Sequence, residues 1–161
     1  MQTQYLWIAL AGAVPHVFEE VWTGFLGWFR TLMPKYTSAI NIPWYTIVNS
    51  LMVAYGLWAV NWESGPLFFR LSFPVLLILN ALVHIIAALR TRKYNPGLIT
   101  SIVLYLPIGT LCIQNAMTTE ATTSTLCFAF LLAAVVYTFV PLSLFVSSRI
   151  IRKVSPLKEV N

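Results

Sequence analysis

The sequence predicts an all-α membrane protein: a single domain over residues 1–161, built from five spanning helices, with the N-terminus outside and the C-terminus in the cytoplasm. Three observations carry this. Hydrophobic residues make up 58% of the chain, charged residues 9%, and the mean hydropathy is +0.77, whereas a soluble domain carries about 25% charged residues. Apolar runs long enough to cross a bilayer, about 20 residues each, recur along the chain. The lysines and arginines then sort to one side of those runs.

The runs are Gln4 to Phe29, Asn41 to Trp62, Leu67 to Leu89, Pro96 to Ala116 and Ser124 to Ser148. Arg30 and Lys35 follow the first; Arg90, Arg92 and Lys93 follow the third; Arg149, Arg152, Lys153 and Lys158 follow the fifth. Of the 10 basic residues, only Arg70 falls toward the opposite side, together with Glu63 and Glu120. The excess of positive charge on cytoplasmic loops sets the orientation. Trp7 and Trp62 then mark the outer interface and Trp28 and Trp44 the inner one, while Trp22 and Trp58 read as packing residues. The N-terminus lacks a basic leader, so the first helix is expected to be retained. Pro15 interrupts that helix, as an ordinary kink or as a device that opens space for the next turn. Trp22 to Arg30, rich in glycine and aromatics, either completes the span or bends into the interface.

The first span carries an unusual group, His16-Val-Phe-Glu19-Glu20. An ionised carboxylate at the centre of a membrane helix costs about 2.5–3.5 kcal/mol on insertion scales. Two adjacent ones need a cation, a proton or donors from another helix. Positions i, i+3 and i+4 fall within one turn, so the three side chains point along one side. The third span carries Asn80-Ala-Leu-Val-His84, again i, i+4. His16 and His84 are the only histidines, and Glu19 and Glu20 are the only acids well inside an apolar run. A third group, Tyr94-Asn95-Pro96-Gly97-Leu98-Ile99-Thr100, opens the fourth span. Asn95 suits an N-cap and Pro96 the first helical position. This is either a well-made helix start or a means of bringing Thr100 and free backbone N–H groups to the polar site.

These three groups, in this order, resemble the signature motifs of the HXXEE family of small bacterial membrane proteins. The resemblance covers residues 16 to 100 and is silent about the fifth helix. It implies a bacterial inner-membrane protein in which these residues form one site, and it specifies no reaction.

Residue chemistry carries the reading further. Two histidines and two glutamates are a donor set for a divalent metal such as Zn, Mn or Fe. His16, Glu19 and Glu20 supply three ligands from one turn and His84 a fourth, with Asn80 as a ligand or as the group that holds one. The expected function is a small metal-dependent intramembrane enzyme acting on a membrane lipid or another hydrophobic substrate. Glu19 or Glu20 would be ligand or general base, and Asn80, Tyr94 and Thr100 would orient or polarise the substrate. Metal-free acid–base chemistry between glutamate and histidine is the alternative mechanism. A carrier or sensor of a metal ion, proton or small ligand, and an assembly subunit, are the non-catalytic alternatives. Purely structural hydrogen bonding across the bundle is the plainest reading of buried His, Glu and Asn. Cys112 and Cys127 flank one outer loop, as a disulfide or as two inert buried thiols. No glycine-rich nucleotide loop, Gly-x-Ser-x-Gly or Cys-x-x-Cys occurs, and no basic face with interleaved aromatics supports nucleic-acid binding.

The charge pattern makes a topological prediction. Reporter fusions after Lys93 and after Glu120 read out on opposite sides of the membrane; the same side for both excludes the five-span arrangement.

Overall fold

A computed structural model describes residues 2–154, with side chains described as far as Ile151. Lys158 lies outside the described residues, and so do the side chains of Arg152 and Lys153. Every regular element among the described residues is helical. Helix α1 is Thr3–Trp22, α2 is Phe25–Leu32, α3 is Ile42–Asn61 and α4 is Leu67–Thr91. A first turn α5 (Leu98–Thr100), a π-helical turn (Ser101–Tyr105) and α6 (Leu106–Thr119) form one rod, Leu98–Thr119. Helices α7 (Thr123–Tyr137) and α8 (Phe139–Val154) follow each other through Thr138. Three rods are long and apolar enough to cross a membrane: Leu67–Thr91, Leu98–Thr119 and Thr123–Ile151. Helices α1 and α3 have 20 residues each, about 30 Å at the helical rise.

The helix boundaries follow from local chemistry. Asn41 caps α3, its Oδ1 accepting the Trp44 N–H at 2.9 Å, with Pro43 in the first turn. Thr122 and Thr125 form a reciprocal capping box at the start of α7. The first apolar run does not continue to Phe29. It stops at Trp22, because Gly24 takes a left-handed conformation at φ 83° and turns the chain into α2. Helix α2 has one apolar edge and no buried residue. The Trp22 to Arg30 stretch therefore bends away from the axis of α1.

Helix α4 is the hub. Residues 69–77 are all buried, and the other long helices pack around it. Between lipid-solvated helices apolar burial gives no net drive, and small residues that let backbones approach take over. Ala129 and Ala133 of α7 are buried, as are Ala116 and Cys112 of α6. Helix α1 contributes a stripe, Leu6, Ala9, Leu10 and Ala13, at i, i+3, i+4 and i+7. Its other faces present Ile8, Val14, Phe18 and Val21 outward. Both cysteines are free, Cys112 buried and Cys127 exposed.

The packing roles expected of Trp22 and Trp58 do not hold. Trp22 is 79% exposed and Trp58 57% exposed, so neither is a packing residue of the core. Trp22 ends α1 beside the break at Gly24 and stacks, among the described residues, only on the outward Phe18 of the same helix. Trp28 and Trp44 instead turn inward and line a cavity, because the bend folds α2 back over the bundle.

Gly56 of α3 is a contact point of three helices. A Cβ there would lie 2.6 Å from Phe73 Cζ and 2.7 Å from Leu10 Cδ1. Overpacking of this kind costs about 1–3 kcal/mol. Gly56→Ala is therefore expected to lower the thermal unfolding midpoint, whereas Gly27→Ala, where a Cβ meets nothing within 4 Å, leaves it unchanged or raises it. Equal effects at the two positions would contradict this packing.

Candidate functional site: a buried His–Glu–His cluster

The break after Trp22 puts His16, Glu19 and Glu20 in the last two turns of α1, level with the end of α4 that carries His84 and with the start of α5. Counted on an uninterrupted helix, the α1 residues would stand near mid-span and His84 deeper. Ending α1 early removes that mismatch without a large tilt.

His16 and Glu20, at i and i+4, share a face and meet His84 from α4. The three are 2%, 5% and 5% exposed. Glu20 Oε1 lies 3.7 Å from His16 Nε2 and 3.6 Å from His84 Nε2, and one ligand atom from each residue lies within 4.8 Å of the others. Glu19, at i+3, sits about 100° around the helix from Glu20 and faces the start of α5. There its Oε1 accepts the Ile99 N–H at 3.1 Å and the Tyr94 hydroxyl at 2.7 Å, and its Oε2 accepts the Thr100 N–H at 2.7 Å and the Thr100 hydroxyl. Only an ionised carboxylate accepts all four. Partial burial holds the Tyr94 phenol above its ordinary range, and the Glu19 carboxylate beside it acts in the same direction, so Tyr94 remains a donor.

The hydrogen bonds set both imidazole tautomers. Thr100 gives its proton to Glu19, so its oxygen accepts from His16 Nδ1 at 2.9 Å. His16 Nε2 is then a bare lone pair, buried and without a hydrogen-bond partner. Asn95 Nδ2 donates to the His84 carbonyl at 2.8 Å, which turns Asn95 Oδ1 toward His84 Nδ1 at 2.7 Å. His84 Nδ1 carries the proton, and its Nε2 lone pair also faces Glu20. The remaining oxygen of Glu20, Oε2, accepts the Tyr45 hydroxyl at 2.8 Å. Two lone pairs and one carboxylate oxygen thus converge, each held from behind.

Gly97 closes the site. Its φ is 91°, and a Cβ there would stand 2.8 Å from His84 Cε1, 2.9 Å from His16 Cε1 and 3.1 Å from Glu20 Cγ. Only glycine satisfies both the backbone and the space. The π-helical turn that follows also has a purpose here. Pro107 has no N–H to give to the preceding turn, and the wider winding upstream carries Thr100 and Tyr105, five residues apart, to the same imidazole. The Tyr105 ring packs against His16 with centroids 4.3 Å apart and planes tilted by 30°.

Glu19 and Asn80, counted from sequence among the metal ligands, stand outside the three-residue group. The i+3 position sends Glu19 to a saturated set of donors. Asn80 lies one turn up α4 from His84, on the wall of an adjoining cavity of about 100 Å³, and its Oδ1 is buried without a partner. Thr100, expected with Tyr94 to orient or polarise the substrate, bonds His16 and Glu19, and Tyr94 bonds Glu19. Asn95 serves as the orienting group of His84 rather than as a side-chain helix cap. Tyr45 and Tyr105 carried no local signal as site residues, although Pro107 inside an apolar run marks where the helix must rewind.

The donor set and the two Glu20–histidine distances resemble those around a divalent ion, although the three atoms as a group are held only within 4.8 Å of one another. Donor atoms on one tetrahedral ion at about 2.0–2.1 Å are about 3.3–3.5 Å apart, close to the spacings of Glu20 to each histidine. Two histidines and one glutamate are also the set that leaves a fourth position open at catalytic zinc sites.

In chelator-treated protein both histidines are expected in the Nδ1–H tautomer, readable from ¹⁵N shifts of the labelled rings. Asn95→Leu releases His84 from that state and leaves His16 in it. A wild-type Nε2–H tautomer at either ring would refute the assignment.

A family model described as "Protein of unknown function with HXXEE motif" matches residues 7–112. No curated protein matches the chain, and no solved structure matches it.

Proposed function

The chain belongs to the HXXEE family, and we propose that it is a small intramembrane enzyme, metal-dependent, acting on a lipid or other hydrophobic substrate. The observation that carries the reading is the convergence of His16 Nε2, His84 Nε2 and Glu20 Oε1, each oriented by a second group, at the edge of an apolar cavity. A structural role alone would favour pairing these atoms with hydrogen-bond donors, since an unpartnered buried polar atom is costly. Here His16 Nε2 has none.

In this reading His16, His84 and Glu20 hold the ion. When bound, the ion supplies Lewis acidity toward an oxygen of the substrate head. Thr100, backed by Glu19, and Asn95 keep the imidazole lone pairs aimed inward and raise their basicity. Tyr45 fixes the Glu20 rotamer. Tyr94 holds Glu19. Asn80 is the polar group on the cavity wall whose oxygen remains free for a substrate. The walls made by Phe25, Trp28 and Phe29 of α2 exclude water from this space.

The membrane setting belongs to the same proposal: five spans, with α1 and α3 crossing beside the three longer apolar rods, N-terminus outside, in a bacterial inner membrane. Arg30, Lys35, Arg90, Arg92, Lys93 and Arg149 follow the helix ends that this orientation turns to the cytoplasm, which supports it.

Purified without chelator and offered Zn, Mn and Fe in turn, wild-type protein is expected to retain one ion per chain by elemental analysis. His84→Ala and His16→Ala lose it with helicity unchanged by circular dichroism. Thr100→Val, which removes only the group behind His16, weakens affinity by about 10–100-fold. Metal-free wild type would overturn the metal-dependent reading.

A further inference from the structure

The cavity beside the cluster does not end at Asn80. A second cavity of about 190 Å³ lies against it, and the two share Val48 and Met52 of α3 and Tyr137 and Val140 of α7 and α8. Three elements show the same direction of travel. On α3 the lining moves from Trp44 and Tyr45 to Leu51 and Tyr55; on α4 from His84 through Asn80 to Leu76; and at the α7–α8 junction it centres on Tyr137. The path from His84 to Leu76 is eight residues of helix, about 12 Å, and from Tyr45 to Tyr55 ten residues, about 15 Å.

Polarity falls along this path. At one end are Glu20 and His84. One turn on is Asn80, with its oxygen unpartnered. Beyond Met52 the lining is aliphatic and aromatic, and the tyrosine hydroxyl whose bond is known there, that of Tyr55, is already joined to Ser72. A narrow passage, polar at a single end and greasy along the rest, matches one hydrocarbon chain with a small head. Volumes of about 100 and 190 Å³ leave room for one chain rather than for two side by side.

We propose that the two cavities form one channel that binds a single-chain amphiphile, with its hydroxyl- or amide-bearing head against Glu20, His84 and Asn80 and its hydrocarbon tail running between α3 and α7–α8. Asn80 Oδ1 accepts the head's O–H or N–H. The free oxygen calls for a donor, and a buried acceptor without one is costly. This rests on the proposed enzymatic site and names its substrate class.

Binding is measured with the full chain in lipid nanodiscs, by displacement of a pyrene-labelled fatty alcohol. The competitors are monoacylglycerols of increasing chain length and fatty-alcohol methyl ethers, which keep the chain and lose the donor. Wild-type protein is expected to bind longer monoacylglycerols more tightly up to a limit, and to prefer a free alcohol to its methyl ether by about tenfold, the worth of one buried hydrogen bond. Met52→Trp fills the channel and shortens the preferred chain. Leu82→Trp, on the outward face of α4, leaves the preference unchanged. Asn80→Leu abolishes the discrimination between alcohol and ether. A chain-length preference unmoved by Met52→Trp, or an alcohol preference that survives Asn80→Leu, would overturn the proposal. Chain binding by protein that holds no metal would leave the channel standing and remove the metal-dependent reading. Metal-loaded protein indifferent to chain length would do the reverse.

Discussion

Glu20 has to be kept in an apolar interior with no lysine or arginine beside it among the described residues, and the rest of the site is organised around that requirement. Its Oε2 accepts the Tyr45 hydroxyl, while its Oε1 faces two imidazole nitrogens that carry no proton on that side, acceptors that leave it unsatisfied until a cation or a proton lies between them. Such an arrangement holds only if the opposite nitrogen of each ring is occupied. Asn95 does this for His84, and the Thr100–Glu19 pair does it for His16. Each of these groups is itself held: Asn95 by the His84 carbonyl, and Glu19 by two backbone N–H groups and Tyr94. A partly satisfied network at this depth would be worse than an apolar core. The unsatisfied remainder of this polar island is small: His16 Nε2 and the Asn80 oxygen are buried without a hydrogen-bond partner.

Much of the architecture was legible in the chain, because composition and run length report directly on the solvent a helix needs. The all-helical fold and the apolar rods follow from that. So does the grouping of His16, Glu20 and His84, since ionisable side chains in apolar runs have few places to go. What spacing alone could not resolve was the difference between i+3 and i+4. Both lie within one turn of His16, yet Glu19 and Glu20 stand about 100° apart and serve different partners. The early stop of α1 was hidden for a similar reason. A single glycine in a run of aromatics reads as apolar continuity, and its left-handed φ shows only once the backbone is traced.

Asn95 illustrates a different limit. Before a proline, asparagine has an ordinary local use as a cap, and local rules favour that use. Its actual partner is a histidine eleven residues earlier on the preceding helix, beyond the few residues that capping rules read. Tyr45 and Tyr105 are alike in this respect. Both are aromatics in apolar helices, where packing is the default, and their bond or stack with the site depends on how helices cross. The π-helical turn is intermediate: Pro107 announces a disturbance, but which side chains it redirects depends on the neighbour.

The long reach of these contacts bears on how the protein is made. The donors that neutralise Glu19 come from Ile99 and Thr100, 80 and 81 residues further along. At ordinary rates of synthesis of about 5–20 residues per second, α1 is complete about 4–16 seconds before they exist. During that interval Glu19 lacks these donors, so in the proposed five-span arrangement α1 cannot settle alone in hydrocarbon with Glu19 ionised. It has to wait at the translocon or the interface, or enter with its acids protonated, until the loop after α4 arrives. Assembly of the site and final seating of the first helix are therefore one late event, and the segment from Tyr94 to Thr100 acts as the latch that completes it.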